Sequence, residues 1–153
     1  MTNRAITGQE NINENAATPM GALVEFYRAF NSGDLELMAN NWDQTDEASM
    51  SNPLGDVKRG WASICEIYQK IFIGSAKVYV EFYDYSIHST GDMFVAVGRE
   101  RGHFQQGNTV LELAIRTSRT YQMKNGRWLQ IHHHGSIDDP KLLNLYQSQV
   151  LRK

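Results

Sequence analysis

The chain has a single cysteine, Cys65, and only three prolines in 153 residues. One thiol excludes an intrachain disulfide and a cysteine-based zinc cage, and the apolar helical setting of Cys65 reads as a small core residue, not a nucleophile. No apolar run is long enough for a membrane span, and the N-terminus lacks the basic-then-apolar layout of a secretion signal. An excess of one charge is missing too. Fifteen basic and seventeen acidic residues leave a net charge of -2, with no basic block of the kind that tracks a phosphate backbone. A soluble, cytoplasmic protein is expected, with neither nucleic acid nor membrane as a partner. Residues 1–18 are rich in Asn, Gln, Thr and Glu and have almost no aliphatic content, so they cannot bury enough surface to offset ordering entropy. They are read as a disordered tail whose deletion leaves stability nearly unchanged. The remaining residues, 19–153, suffice for one domain with its own core.

What is present falls into two halves. From Pro19, Leu23, Phe26, Tyr27 and Phe30 recur at helical spacing until Asn31-Ser32-Gly33 stops the helix. Asp34 can cap a second helix with Leu35, Met38 and Trp42 facing inward. A short strand around 48–51 and the turn Asn52-Pro53-Leu54-Gly55 precede a third helix carrying Trp61, Ile64, Tyr68 and Ile71 on one stripe. Residues 77–89, 92–105, 109–123 and 127–136 then alternate with period two, separated by Thr90-Gly91-Asp92, Gln106-Gly107-Asn108 and Asn125-Gly126, which suit hairpin turns. Helices followed by an antiparallel meander make an α+β fold. Asp138-Asp139-Pro140 signals a last short helix.

On the 109–123 strand, Leu111, Leu113, Ile115, Thr117, Arg119 and Tyr121 share a face that is apolar at one end and polar at the other. Val95, Val97 and Arg99 are read as a second such row, and Leu129, Ile131 and His133 as a third. Together they suggest a greasy pocket with a basic, aromatic end. Trp128, Gln130, His132 and His134 fall on the opposite face of the last strand. His132 and His134 invite a metal, but no third ligand is fixed nearby, so neither metal nor cofactor is expected. Trp42 is the tryptophan expected to reach the pocket. Tyr83 is a further candidate, although strand propensity alone would also select tyrosine in the Tyr79, Tyr83, Tyr85 stripe.

Phe30-Asn31-Ser32-Gly33-Asp34, the Asn52-Pro53-Leu54-Gly55 turn leading to Arg59-Gly60, and the strand starting Gly126-Arg127-Trp128 resemble the nuclear transport factor 2-like superfamily, which includes ketosteroid isomerases and SnoaL-like proteins. Arg116-Thr117-Ser118-Arg119-Thr120-Tyr121 with His132-x-His134-x-Ser136 is most similar to the association domain of calcium/calmodulin-dependent protein kinase II. The resemblance covers about residues 20–137. It implies a cone, the cystatin-like fold, in which a curved antiparallel sheet wraps over three N-terminal helices and commonly dimerises through the sheet, with a short C-terminal helix added. It also argues against steroid isomerisation. Asn52 stands where the isomerases carry their general-base aspartate, and an amide cannot accept the proton; Phe26 stands at the position of their oxyanion-binding tyrosine. Arg99 and Arg119 align with two pocket arginines of the association domain, whereas Gly135 and Ile64 replace a further arginine and a histidine.

The expected ligand set is therefore Arg99, Arg119, Tyr121, His133, Trp42 and Tyr83 around a small carboxylate or enolate, in a homodimer that could form a larger assembly. Arginine pairing with an internal acid such as Asp84 is the alternative for each guanidinium. An enzyme acting on a small carbonyl compound through a different acid or base, such as a cyclase, dehydratase, isomerase or hydrolase, and a pure oligomerisation module are the other function classes. Asp43, Asp46, Asp84 and Glu100 are the acids available to such an enzyme. Fold alone does not choose among them.

Overall fold

Helix α1, Pro19–Ser32, begins where Thr18 Oγ1 accepts a hydrogen bond from Gly21 N at 3.0 Å and Pro19 pre-sets the first turn. Asp34 does the same for α2, Leu35–Asn41, through Leu37 N at 3.0 Å. Two short strands, β1 (Ser49–Ser51) and β2 (Lys58–Arg59), flank the proline turn and lead into α3, Trp61–Ile73. The meander follows as β3 (Lys77–Thr90), β4 (Met93–Gln106), β5 (Thr109–Lys124) and β6 (Arg127–Ser136), and α4, Pro140–Val150, closes the chain. This computed structural model describes residues 4–11 and 15–151. The α+β architecture and the four long strands match the sequence reading to within a residue or two; the two-residue β2 carried no detectable pattern.

Among the described residues the strands form one curved sheet in the order β2-β1-β6-β5-β4-β3, antiparallel except where β1 runs parallel to β6. The helices fill its concave side. Leu23, Phe26 and Tyr27 of α1, Met38 of α2, and Ile64 and Tyr68 of α3 are buried against Val80, Phe82, Phe94 and Tyr121 of the sheet. Tyr27 stacks on Phe82 with ring centres 5.6 Å apart, and Phe94 stacks on Tyr121 at 4.7 Å, so aromatic pairs tie the helices to the sheet and the strands to one another.

The N-terminal segment departs from the expected mobile tail. Ile6, 2% exposed, pairs with the free edge of β3 through Ile6 N to Phe82 O at 2.8 Å and Phe82 N to Ile6 O at 2.9 Å. Arg28 donates to the carbonyls of Gly8 and Glu10, both at 2.7 Å, and Asn31 donates to that of Thr7. Gly8 lies so close to α1 that a Cβ there would sit 2.3 Å from Arg28 N, and its φ is +93°. The segment covers an edge that would otherwise offer unpaired backbone groups. The rest of the tail reading, over residues 1–3 and 12–14, lies outside the described residues.

Candidate functional site

β5 places Leu113, Ile115, Thr117, Arg119 and Tyr121 on the concave side, all buried, as their alternation predicts. β4 is one residue out of the expected phase. Its pairs Glu100↔Ile115 and Ala96↔Arg119 put the even-numbered row inside, because residues directly opposite in a ladder share a face. Val95, Val97 and Arg99 therefore belong to the convex face: Val97 is 45% exposed, and Arg99 meets Asp84 there at 3.4 Å. β6 changes phase part-way. A bulge opposite Thr120 and Tyr121 lets Trp128 and Gln130 point inward on one side of Ile131 and His133 and Gly135 point inward on the other, all four buried. Leu129 and Ile131 thus do not form the third pocket row.

The polar end of the cone is a closed network. Arg119 Nη2 donates to Glu100 Oε2 at 3.0 Å, Nη1 to Gln130 Oε1 at 2.9 Å and Nε to the Tyr27 hydroxyl at 3.2 Å. Glu100 also accepts from the Tyr27 hydroxyl at 2.6 Å and from Thr117 Oγ1 at 2.8 Å. The guanidinium lies 3.5 Å above the Phe26 ring centre, a cation–π contact strengthened by the absence of water. With Arg119 2% and Glu100 5% exposed, two opposite charges are buried together and their pairing is what makes the burial tolerable. Burial works against the Arg119 charge, but the Tyr27 hydroxyl and the Glu100 carboxylate outweigh it and raise its pKa.

Against this network lies a cavity of about 60 Å³. Phe26, Met50, Ile67, Leu113 and Ile115 form its apolar walls, and Arg119, Glu100, Tyr68, His133 and Asn52 its polar points. Each terminal nitrogen of Arg119 makes one hydrogen bond of standard geometry to the protein, and the Tyr68 hydroxyl stands beside the guanidinium at the cavity wall.

A curved sheet over helices, with a small cavity at its polar end, has clear relatives. A family model described as a SnoaL-like domain matches residues 20–140. The chain belongs to the SnoaL-like domain family. No curated protein matches it by sequence. Among solved structures it is similar to a protein named as a calcium/calmodulin-dependent protein kinase type II association domain from Thiobacillus denitrificans, with 21% identity, 78% of this chain and 94% of that one covered, and a TM-score of 0.66. It is also similar to a protein from Streptomyces avermitilis named as a dehydratase of the NTF2-like family (21%, 75% and 89%, 0.66) and to a ketosteroid isomerase-like protein from Erwinia carotovora atroseptica (18%, 84% and 100%, 0.67). These likenesses establish the fold.

Of the six residues expected to bind a ligand, the SnoaL-like domain brings Arg119 and His133 to the cavity. Arg99 is on the other face, so the two-arginine fork does not form, and both guanidinia instead pair with acids. Tyr83 is also convex, lying 4.1 Å beneath Arg101, which binds Glu81. Tyr121 is fully buried but deeper than the cavity, donating to Asn41 Oδ1 at 2.9 Å. Trp42, 1% exposed, packs behind Tyr68 and Trp61; its Nε1 sits beside the Tyr68 hydroxyl without completing a hydrogen bond of standard geometry. Asn52 and Phe26, the two positions that argue against isomerase chemistry, both line the cavity. Asp43, one of the acids open to an alternative enzyme, is committed to Lys124 at 3.1 Å. In the sequence Tyr27 and Tyr68 are marked only as helix-stripe aromatics, and a hydroxyl on a buried stripe is the one signal of their polar role.

His133 adds an uncharged acceptor to the cavity wall. Its Nδ1 faces the Ser118 carbonyl oxygen at 3.3 Å, a group that can only accept, so the proton sits on Nδ1 and Nε2 presents a lone pair. Gly135 keeps that nitrogen reachable, since a Cβ there would stand 3.1 Å from it. Burial, reinforced by the charge of Arg119, holds the imidazole well below its ordinary pKa, while burial raises the Tyr68 hydroxyl. A histidine with a lowered folded-state pKa adds stability that is complete above the unfolded value near pH 6.5 and drains away as pH falls toward the folded value. The melting temperature should accordingly fall between pH 7 and pH 5 more steeply in the wild type than in a His133→Gln variant, as read by thermal denaturation across that range; parallel slopes would show that His133 is not held neutral. His132 bonds Ser49 Oγ at 2.7 Å on the opposite face, and among the described residues no group of His, Cys, Asp or Glu is placed to hold a metal.

Proposed function

We propose that this SnoaL-like chain binds a small, uncharged oxygenated molecule head-first in the cavity, with a carbonyl oxygen at the donors Arg119 and Tyr68 and a hydroxyl donated to His133 Nε2. One observation carries this reading: donors and an acceptor face the same apolar-walled cavity while Glu100 cancels the charge of Arg119. The carboxylate expected from two arginines would arrive as a second negative charge beside Glu100, with no second arginine or lysine among the described residues lining the cavity to offset it. The cavity volume of about 60 Å³ is several times the roughly 10–15 Å³ that one water requires, enough for a head group of a few heavy atoms. Calorimetry with hydroxyacetone and with lactate tests the proposal. Hydroxyacetone should bind the wild type more tightly than lactate, and a His133→Phe variant should lose about threefold to tenfold, the value of one neutral hydrogen bond. Tighter binding of lactate, or equal binding by the variant, would reject it.

Catalysis on such a carbonyl compound is a second reading. The fixed tautomer of His133 favours it, since Nε2 could take a proton α to a carbonyl whose oxygen rests on Arg119. The same burial that keeps the imidazole neutral makes it a weaker base, so binding is the reading preferred here. For the convex face the proposed partner is a second copy of the chain, because Arg99, Arg101, Arg116, Glu81 and Glu112 set opposite charges on one self-complementary surface. A dimer in sedimentation at micromolar concentration is the expected result, and a monomer would remove it.

A further inference from the structure

A second hollow opens beside the first. Between α3, α4 and the adjoining ends of β3 and β4 runs a groove of about 690 Å³, within the size range of small-molecule sites. Ile67, Ile71, Val78 and Tyr146 line both this groove and the cavity of about 60 Å³. The two are therefore neighbouring compartments that meet at these four side chains. Tyr146 is 8% exposed and stands edge-on to Phe104 with ring centres 6.1 Å apart. The helix that carries it is fastened to the proline turn by Gln147 Nε2 to Pro53 O at 2.9 Å.

The chemistry of the two compartments differs. The cavity holds the polar points, Arg119, His133 and Glu100. Beyond Tyr146 the groove is walled by Leu54, Ala76, Phe104, Val150 and Leu151, with Lys70, Gln106 and Gln149 also lining it. Leu151 is left 61% exposed at its mouth, a cost that an apolar occupant would remove. We propose that cavity and groove are a single site for an amphiphile, whose oxygenated head occupies the cavity and whose unbranched apolar chain runs past Tyr146 along the groove. This rests on the head-group reading above and adds the substrate class: a long-chain hydroxy-ketone or a compound of the same build. Continuity favours a chain over a docked protein. A groove that leads through four shared residues to a polar cavity suits one molecule with two ends, whereas the surface proposed for a second copy is the opposite face of the sheet.

Calorimetry with 1-hydroxy-2-alkanones of three to ten carbons tests the inference on the full chain. Affinity should rise about threefold to fourfold per added methylene until the groove is filled. In a Val150→Glu variant, whose fold is checked by its melting curve, the longest ketone should bind no better than hydroxyacetone; Ala76→Asp, from another wall, should act likewise. Hydroxyacetone binding with no gain from chain length would overturn the groove inference and leave the head-group reading standing. Primary alcohols binding as tightly as hydroxy-ketones of equal length would support the groove and overturn the head group. A change of sedimentation coefficient in Val150→Glu would make the groove a protein interface and also overturn the inference.

Discussion

Replacing Glu100 by alanine should destabilise the fold by about 3–5 kcal/mol, the usual cost of removing one partner from a buried ion pair. Arg119 would keep its charge, since a guanidinium does not give up its proton in a protein, and would stay buried without the carboxylate that balances it, while the Tyr27 and Thr117 hydroxyls would lose the carboxylate they both donate to. Arg119→Met should be costly for the same reason in reverse. The double variant Glu100→Leu, Arg119→Met removes both charges, so its loss should be smaller than the sum of the single losses. Urea unfolding with an unchanged m-value is the measurement. Additive losses would show that the two side chains act independently, contrary to their 3.0 Å contact.

The second large effect is at the other end of the chain. Ile6→Ala should cost about 2 kcal/mol, the lower limit for a buried isoleucine, because the segment can detach before the domain unfolds and this caps the loss. Deleting residues 1–11 should cost at least as much, since the Arg28 and Asn31 hydrogen bonds go with it. Composition alone predicts no change for either. Equal melting temperatures for wild type and deletion would restore the mobile-tail reading, while slow amide exchange at Ile6 and Phe82 would count for the docked strand.

These two sites mark where the sequence was legible and where it was not. The row Leu111 to Tyr121 reads unambiguously because its partners at 112, 114, 116 and 118 are charged or small. In β4 the apolar pairs Val95, Val97 and Phe94, Ala96 fit either face, so the phase has to come from the other half of the strand. There Arg99, Arg101, His103 and Gln105 carry the mark of a solvent face, and Glu100 is the lone acid in a row of Phe94, Ala96, Gly98, Gly102 and Phe104. That acid is the hidden partner of Arg119. The β6 bulge left no signal, for neither glycine nor proline stands at Ile131, and the resulting swap sends Gln130 into the network and His133 into the cavity. Composition misleads for residues 4–11 because one side chain, Ile6, and a few backbone carbonyls anchor them. An average over eighteen residues dilutes such an anchor.

That the cone ends in a donor, Arg119, beside a neutral acceptor, His133, is tested most directly by following the imidazole nitrogens. Nitrogen-15 spectra of the histidine side chains, recorded while hydroxyacetone is titrated in, report hydrogen bonding at each ring nitrogen separately. A saturable shift of His133 Nε2 toward the hydrogen-bonded position is expected, with His132 and His134 on the convex face unmoved. Saturation at His134 with His133 silent, or no response from any histidine, would contradict it.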